Sequence, residues 1–200
     1  MTDLCVTFEE WYLGDGTYPP LHCGEKVNLS FYISTNDLKI SDKQEFHLKQ
    51  IKDSNYSFIG QVIRNYKKNE VQLIIVDTGS LKFYIEIPKE TLSLNVGQFI
   101  FGTGPLLIDY YAWVENLSNY ENPPDLFYNF SVDKIRKVRI PEKFISRNGE
   151  AMSYPSSLSP SDYSANDIVE IEDMRGDKGN TSFYLLDLKN LNETVAKTFC

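Results

Sequence analysis

The stretch that most constrains this chain runs from residue 56 to residue 114, YSFIGQVIRNYKKNEVQLIIVDTGSLKFYIEIPKETLSLNVGQFIFGTGPLLIDYYAWV. In its first part Phe58, Gly60, Val62 and Arg64 alternate against Ile59, Gln61 and Ile63, the period of a strand with two different faces. Lys67-Lys68-Asn69-Glu70 makes a turn. Residues 71–76 are almost wholly apolar, which predicts a strand buried on both faces. Asp77-Thr78-Gly79-Ser80 turns the chain again, with Gly79 free to take a positive φ. The partner strand, 81–87, stops at Pro88. A fourth strand spans 96–108. Gly102 and Gly104 inside it predict a bulge or sharp coil, as needed where a sheet curls into a barrel.

The flanking segments read in the same way. Alternation over 4–13 predicts a first strand. Val27, Leu29, Phe31 and Ile33 share one face of a second over 26–34. The polar stretch 35–52 has room for a short strand around 45–51. Residues 126–140 form a long final strand split by Asp133-Lys134. Residues 149–166, rich in Ser, Pro, Tyr and Asp without periodicity, read as a linker. Short strands at 167–174 and 182–188 suggest a closing hairpin. The 13 Tyr, the 12 Phe and many β-branched residues suit pleated, half-buried surfaces, and Ala is scarce.

The run of strands between residues 56 and 140, interrupted by a non-strand insertion after the third and kinked by glycine in the fourth, resembles an OB-fold. The expected fold is therefore mainly β: a small OB-like Greek-key barrel with an N-terminal β-hairpin and a C-terminal β-hairpin extension. The expected divisions are an N-terminal hairpin segment (1–55) packed on the barrel, the barrel (56–148), the linker (149–166), and a C-terminal hairpin and tail (167–200). The resemblance implies a face of the type that binds single-stranded oligonucleotides.

Charge argues against that use. The formal charge is −8 and the sequence pI about 4.8. Nucleic-acid affinity comes largely from Lys and Arg displacing counterions. An acidic surface favours a basic protein partner instead. In size and charge the chain is similar to small acidic bacterial immunity proteins, which implies an inhibitor-type role against a basic partner. The N-terminus lacks the basic and apolar regions of a signal peptide, and no run approaches the roughly 18 apolar residues of a membrane span. The cysteines, Cys5, Cys23 and Cys200, form no disulfide framework, so a reducing cytoplasm is expected.

Few residues suggest chemistry. Asp77-Thr78-Gly79 resembles the motif of aspartic proteases, which implies a catalytic carboxylate dyad. A second copy of the motif is needed, so the resemblance requires a homodimer; the alternative is a plain hairpin turn. His22 and His47 are the only histidines and no CxxC or HxxxH spacing occurs, so neither metal nor cofactor is expected. Gly102-x-Gly104 lies within a strand rather than before a helix and does not read as a phosphate loop.

The leading expectation is thus a non-enzymatic protein-interaction module. Its expected docking residues are the aromatics Tyr110, Tyr111 and Trp113 and the acidic run Asp167, Glu170, Glu172 and Asp173. The alternative is a single-strand nucleic-acid binder using the basic cluster Lys134, Arg136, Lys137 and Arg139, with Tyr128, Phe130, Tyr56 and Tyr84 as stacking rings.

Overall fold

The structure, a computed structural model, describes residues 3–9, 12, 20–68, 70–88, 92–109, 124–139, 142–147, 150–155, 164–168, 170–171 and 182–191. Alternation and β-branching produce strands almost throughout. The N-terminal part holds β1 (Leu4–Glu9), β2 (Leu21–His22), β3 (Lys26–Ile33), β4 (Lys39–Ile40) and β5 (His47–Lys52). The central run holds β6 (Asn55–Lys68), β7 (Val71–Asp77), β8 (Lys82–Pro88), β9 (Phe99–Asp109) and β10 (Tyr128–Arg139). The C-terminal part holds β11 (Glu142–Arg147), β12 (Glu150–Pro155), β13 (Ser164–Ile168), β14 (Glu170–Ile171) and β15 (Ser182–Asn190).

These strands close a barrel of eight: β10, β15, β1, β9, β6, β7, β8 and β3, with β3 returning to β10. The pair β3–β9, Ser30–Ile33 against 106–109, bridges that circuit. The eight-stranded barrel is compatible with an OB-like barrel, and within it β9, β6, β7, β8 and β3 form a smaller ring that includes one parallel contact, Tyr32 with Tyr84. One apolar cluster fills the interior, with Phe8, Phe31, Phe58, Phe83 and Phe130 fully buried.

The glycines of β9 mark the curl. A Cβ on Gly102 would meet the core ring of Phe58 at 2.8 Å, and one on Gly104 would lie 2.0 Å from the Ser34 carbonyl oxygen. Ile100 and Gly102 therefore face inward, and Phe99, Phe101 and Thr103 face outward.

The pairing differs from the sequence expectation in three places. The first two long strands do not form a hairpin. β1 pairs β15 and touches β9, and β3 lies against β9, β8 and β10. The strand that closes the smaller ring is β3, while β10 pairs with β3, β13 and β15 and closes the eight-stranded barrel. The C-terminal strands likewise do not pair with one another, because β14 joins β2 while β15 joins β1 and β10. Period-two patterning reports which face a residue occupies; it does not report which strand lies alongside. Within 149–166, β12 pairs β11 in an antiparallel hairpin, a ladder of backbone hydrogen bonds that requires no apolar rhythm in the sequence. Residues 156–163 lie outside the described ones.

Candidate interaction surface

The sequence-predicted sites fall in three groups. Tyr110, Tyr111, Trp113, Glu172 and Asp173 lie outside the described residues. Glu170 stands opposite His22 in the β14–β2 pair, and its side chain lies outside the described residues. Asp167 is exposed but engaged, its Oδ2 2.8 Å from Lys134 Nζ.

Three of the four cations of β10 have partners within the chain. Lys134 pairs with Asp167. Arg136 donates from Nη1 to Asp53 Oδ1 at 2.7 Å, and from Nη2 to Asp187 Oδ1 at 3.0 Å and Cys5 Sγ at 3.1 Å. Lys137 Nζ sits 6.0 Å from the centre of the Tyr184 ring. Arg139 pairs with Ser164 and Ser182 through the ladder; its side chain lies outside the described residues. Tyr128 stacks on Phe31 and its hydroxyl accepts the Lys82 N–H at 2.8 Å. Tyr56, Tyr84 and Phe130 are core side chains. Among the described side chains, the expected cations and rings are therefore not displayed on one open face.

Asp77 occupies the β7–β8 turn, where its Oδ1 accepts the Gly79 N–H at 2.7 Å, and Gly79 has φ 80°. Thr78 and Leu81 complete the turn by mutual hydrogen bonds. Among the described residues no three His, Cys, Asp or Glu side chains are grouped to hold a metal ion, and no helix is long and apolar enough to cross a membrane.

Two polar clusters sit inside the barrel wall. In one, Tyr84 hydrogen-bonds Asp109 and stacks on Tyr32 with ring centres 5.5 Å apart. Tyr12 donates to the Ile108 carbonyl at 2.8 Å. A cleft of about 450 Å³ opens beside Tyr32, with Ser34, Asn36 and Glu86 on its wall. Burial, with Glu9 and Asp109 nearby, pushes the Tyr32 hydroxyl well above its ordinary range.

The other cluster joins Cys5, Tyr56 and Arg136. Burial first, then the charge of Asp187, pushes the Cys5 thiol from 9.0 up to about 12. Burial likewise pushes Tyr56 from 10.0 up to about 12, although its hydroxyl receives the Cys5 N–H. Both groups are acids whose folded pKa is raised. The neutral forms favour the folded state fully below about pH 9, and this contribution is lost as pH rises from 9.0 towards about 12. The urea midpoint is expected to fall across that window, less so in Cys5→Ala. Iodoacetamide at about pH 8 is expected to label exposed Cys23 and spare buried Cys5 until urea unfolds the chain, as peptide mass mapping would show. Equal labelling of the two thiols in the folded protein would contradict this placement.

The surface that sequence reasoning missed lies around β5. Phe46, 54% exposed, places its ring centre 5.5 Å from that of Phe99 and covers Gly79, where an added Cβ would meet Phe46 at 3.1 Å. Ile51, 61% exposed, sits where the β5–β6 register shifts between Gln50 and Lys52. The ladder aligns Lys39, Phe101, Ile59 and His47 in one row across β4, β9, β6 and β5. Phe46, Phe99, Phe101 and Ile59 thus share an outer face bordered by Lys39, His47 and Lys49. The available signal was an aromatic at 46 directly before a strand whose outward positions hold no core residue.

Compared with protein-family models, with curated proteins and with solved structures, the chain matches none.

Proposed function

We propose that the chain is a protein-interaction module that docks a partner on the outer face of β9, β6 and β5. One observation carries this reading: Phe46 and Ile51 are both more than half exposed, the one directly before and the other within a strand that, among the described residues, ends the sheet. Singly scattered surface apolar groups are ordinary; an exposed aromatic beside another on a rigid sheet, as Phe46 lies beside Phe99, is typical of contact surfaces. An inhibitor- or immunity-type role, in which the module occupies another protein's working surface, belongs to the same reading.

The nucleic-acid alternative draws less support, because the charges of Lys134 and Arg136 are already met by carboxylates. The acidic docking strand also draws less support, since Asp167 is bound to Lys134.

The test is site-specific photo-crosslinking in the source cells, with benzoylphenylalanine introduced at Phe46 or, as a control, at exposed Lys189. A discrete protein adduct is expected from position 46 and not from 189. Diffuse or equal labelling from both positions would contradict the reading.

A further inference from the structure

We infer that the free edge of β5 takes up an extended acidic segment of a partner protein as an added strand, an inference that rests on the interaction reading above. β5 stands at the end of the sheet order and, among the described residues, pairs only with β6. Its far side therefore presents backbone N–H and C=O groups with no described strand beside them, the template that strand addition uses.

Edges of this kind are commonly blunted by lysine and by bulges, and β5 has both: Lys49, Lys52 and the register shift after Gln50. These devices act selectively. In-register parallel pairing of two β5 copies would set each lysine beside its twin. That pairing of two copies is disfavoured by charge. An acidic strand meets no such repulsion. Exposed Phe46 and Ile51, by contrast, offer apolar anchors at the two ends of the edge.

The sign of the edge is opposite to that of the chain. β5 carries His47, Lys49 and Lys52 and no carboxylate. The carboxylates flanking it are engaged, Glu45 by Lys43 at 3.6 Å and Asp53 by Arg136 at 2.7 Å. On a protein of net charge −8, an acidic segment is repelled by most of the surface and attracted here, which selects the docking position as well as the partner. Lys49 lies opposite Ser57 of β6, and Ser57 Oγ lies 3.4 Å from His47 Nε2, so the His47 and Lys49 side chains share one outer face. A carboxylate on the added strand beside Lys49 would lie on that face.

The experiment titrates the full chain with a short capped peptide alternating glutamate with valine, with its lysine–valine counterpart, and with a short oligothymidylate. Backbone amide shifts and hydrogen exchange are the readout. The glutamate peptide is expected to slow exchange at residues 47–50 and to bind about tenfold more tightly than the lysine peptide at low salt, a difference that shrinks as salt is added. The double substitution Lys49→Glu and Lys52→Glu, at exposed side chains, is expected to invert that preference. Preferred binding of the oligothymidylate would overturn the inference in favour of nucleic acid. So would a glutamate peptide that leaves the β5 amides unprotected, or a preference unchanged by the double substitution. A partner crosslinked at Phe46 together with unprotected β5 amides would retain the interaction reading and remove strand addition.

Discussion

Gly104→Ala is expected to cost about 3 kcal/mol, the upper end for inserting a methyl group into a filled site. The added Cβ would sit 2.0 Å from the Ser34 carbonyl oxygen. That oxygen belongs to backbone and has no rotamer by which to step aside. The Ser34 N–H is itself bonded to the Pro105 carbonyl at 3.3 Å, so the end of β3 is tied to β9 at the point of contact. Relief requires β3 and β9 to separate, and their pairing bridges the barrel. Gly97→Ala provides the contrast: nothing lies within 4 Å of its added Cβ, and only a φ of 95° opposes it. That change is expected to cost about 1–2 kcal/mol, a left-handed backbone penalty. Urea denaturation of the two variants measures the difference. A Gly104 variant as stable as the Gly97 variant would mean that β3 and β9 do not approach as described.

Arg136→Met is expected to cost about 2 kcal/mol, below the 3–5 of a fully buried pair because the partners keep some solvent contact. Arg136 is 20% exposed in its side chain and Asp53 and Asp187 are 33% exposed. Its removal leaves two carboxylates beside a neutral thiol with no cation between them. The loss is also directional. Asp53 sits in the β5–β6 turn with φ 48°, and its bond to Arg136 ties that hairpin to β10. Amide exchange in β5 should therefore rise more than exchange in β7 and β8. Arg136→Lys should not restore the wild-type value, because one ammonium cannot reproduce a fork that reaches two carboxylates and a sulfur. Full rescue by lysine would mean that point charge alone matters there.

Much of the barrel was legible because its strands announce themselves locally. The near-continuous apolar run of β7, the alternation of β3 and β6, and the glycines of β9 each correspond to the strand they predicted, within a few residues. Strand neighbours were not legible. Nothing local in the sequence tells β3 to close a ring with strands far along the chain, or β1 to pair with β15. Those choices follow from which faces must be buried together, a property of the whole core.

The candidate surface was hidden for a related reason. In sequence, Lys134, Arg136 and Lys137 read as a basic patch, yet their partners Asp53, Asp167, Asp187 and Tyr184 arrive from other strands. Conversely, Phe46 and Ile51 read as ordinary apolar residues in a polar stretch. Their meaning comes from the position of β5 at the end of the sheet. The whole-chain charge of −8 pointed to a basic partner, whereas the edge itself carries lysine and histidine without a carboxylate.

The most direct test of the docking surface is the difference in amide exchange between the free chain and the chain bound to the protein crosslinked at position 46. Protection concentrated over residues 46–52, with the outer face of β6 and β9 following, is the predicted result. Protection confined to β10 and β13, with β5 exchanging as it does in the free chain, would contradict it.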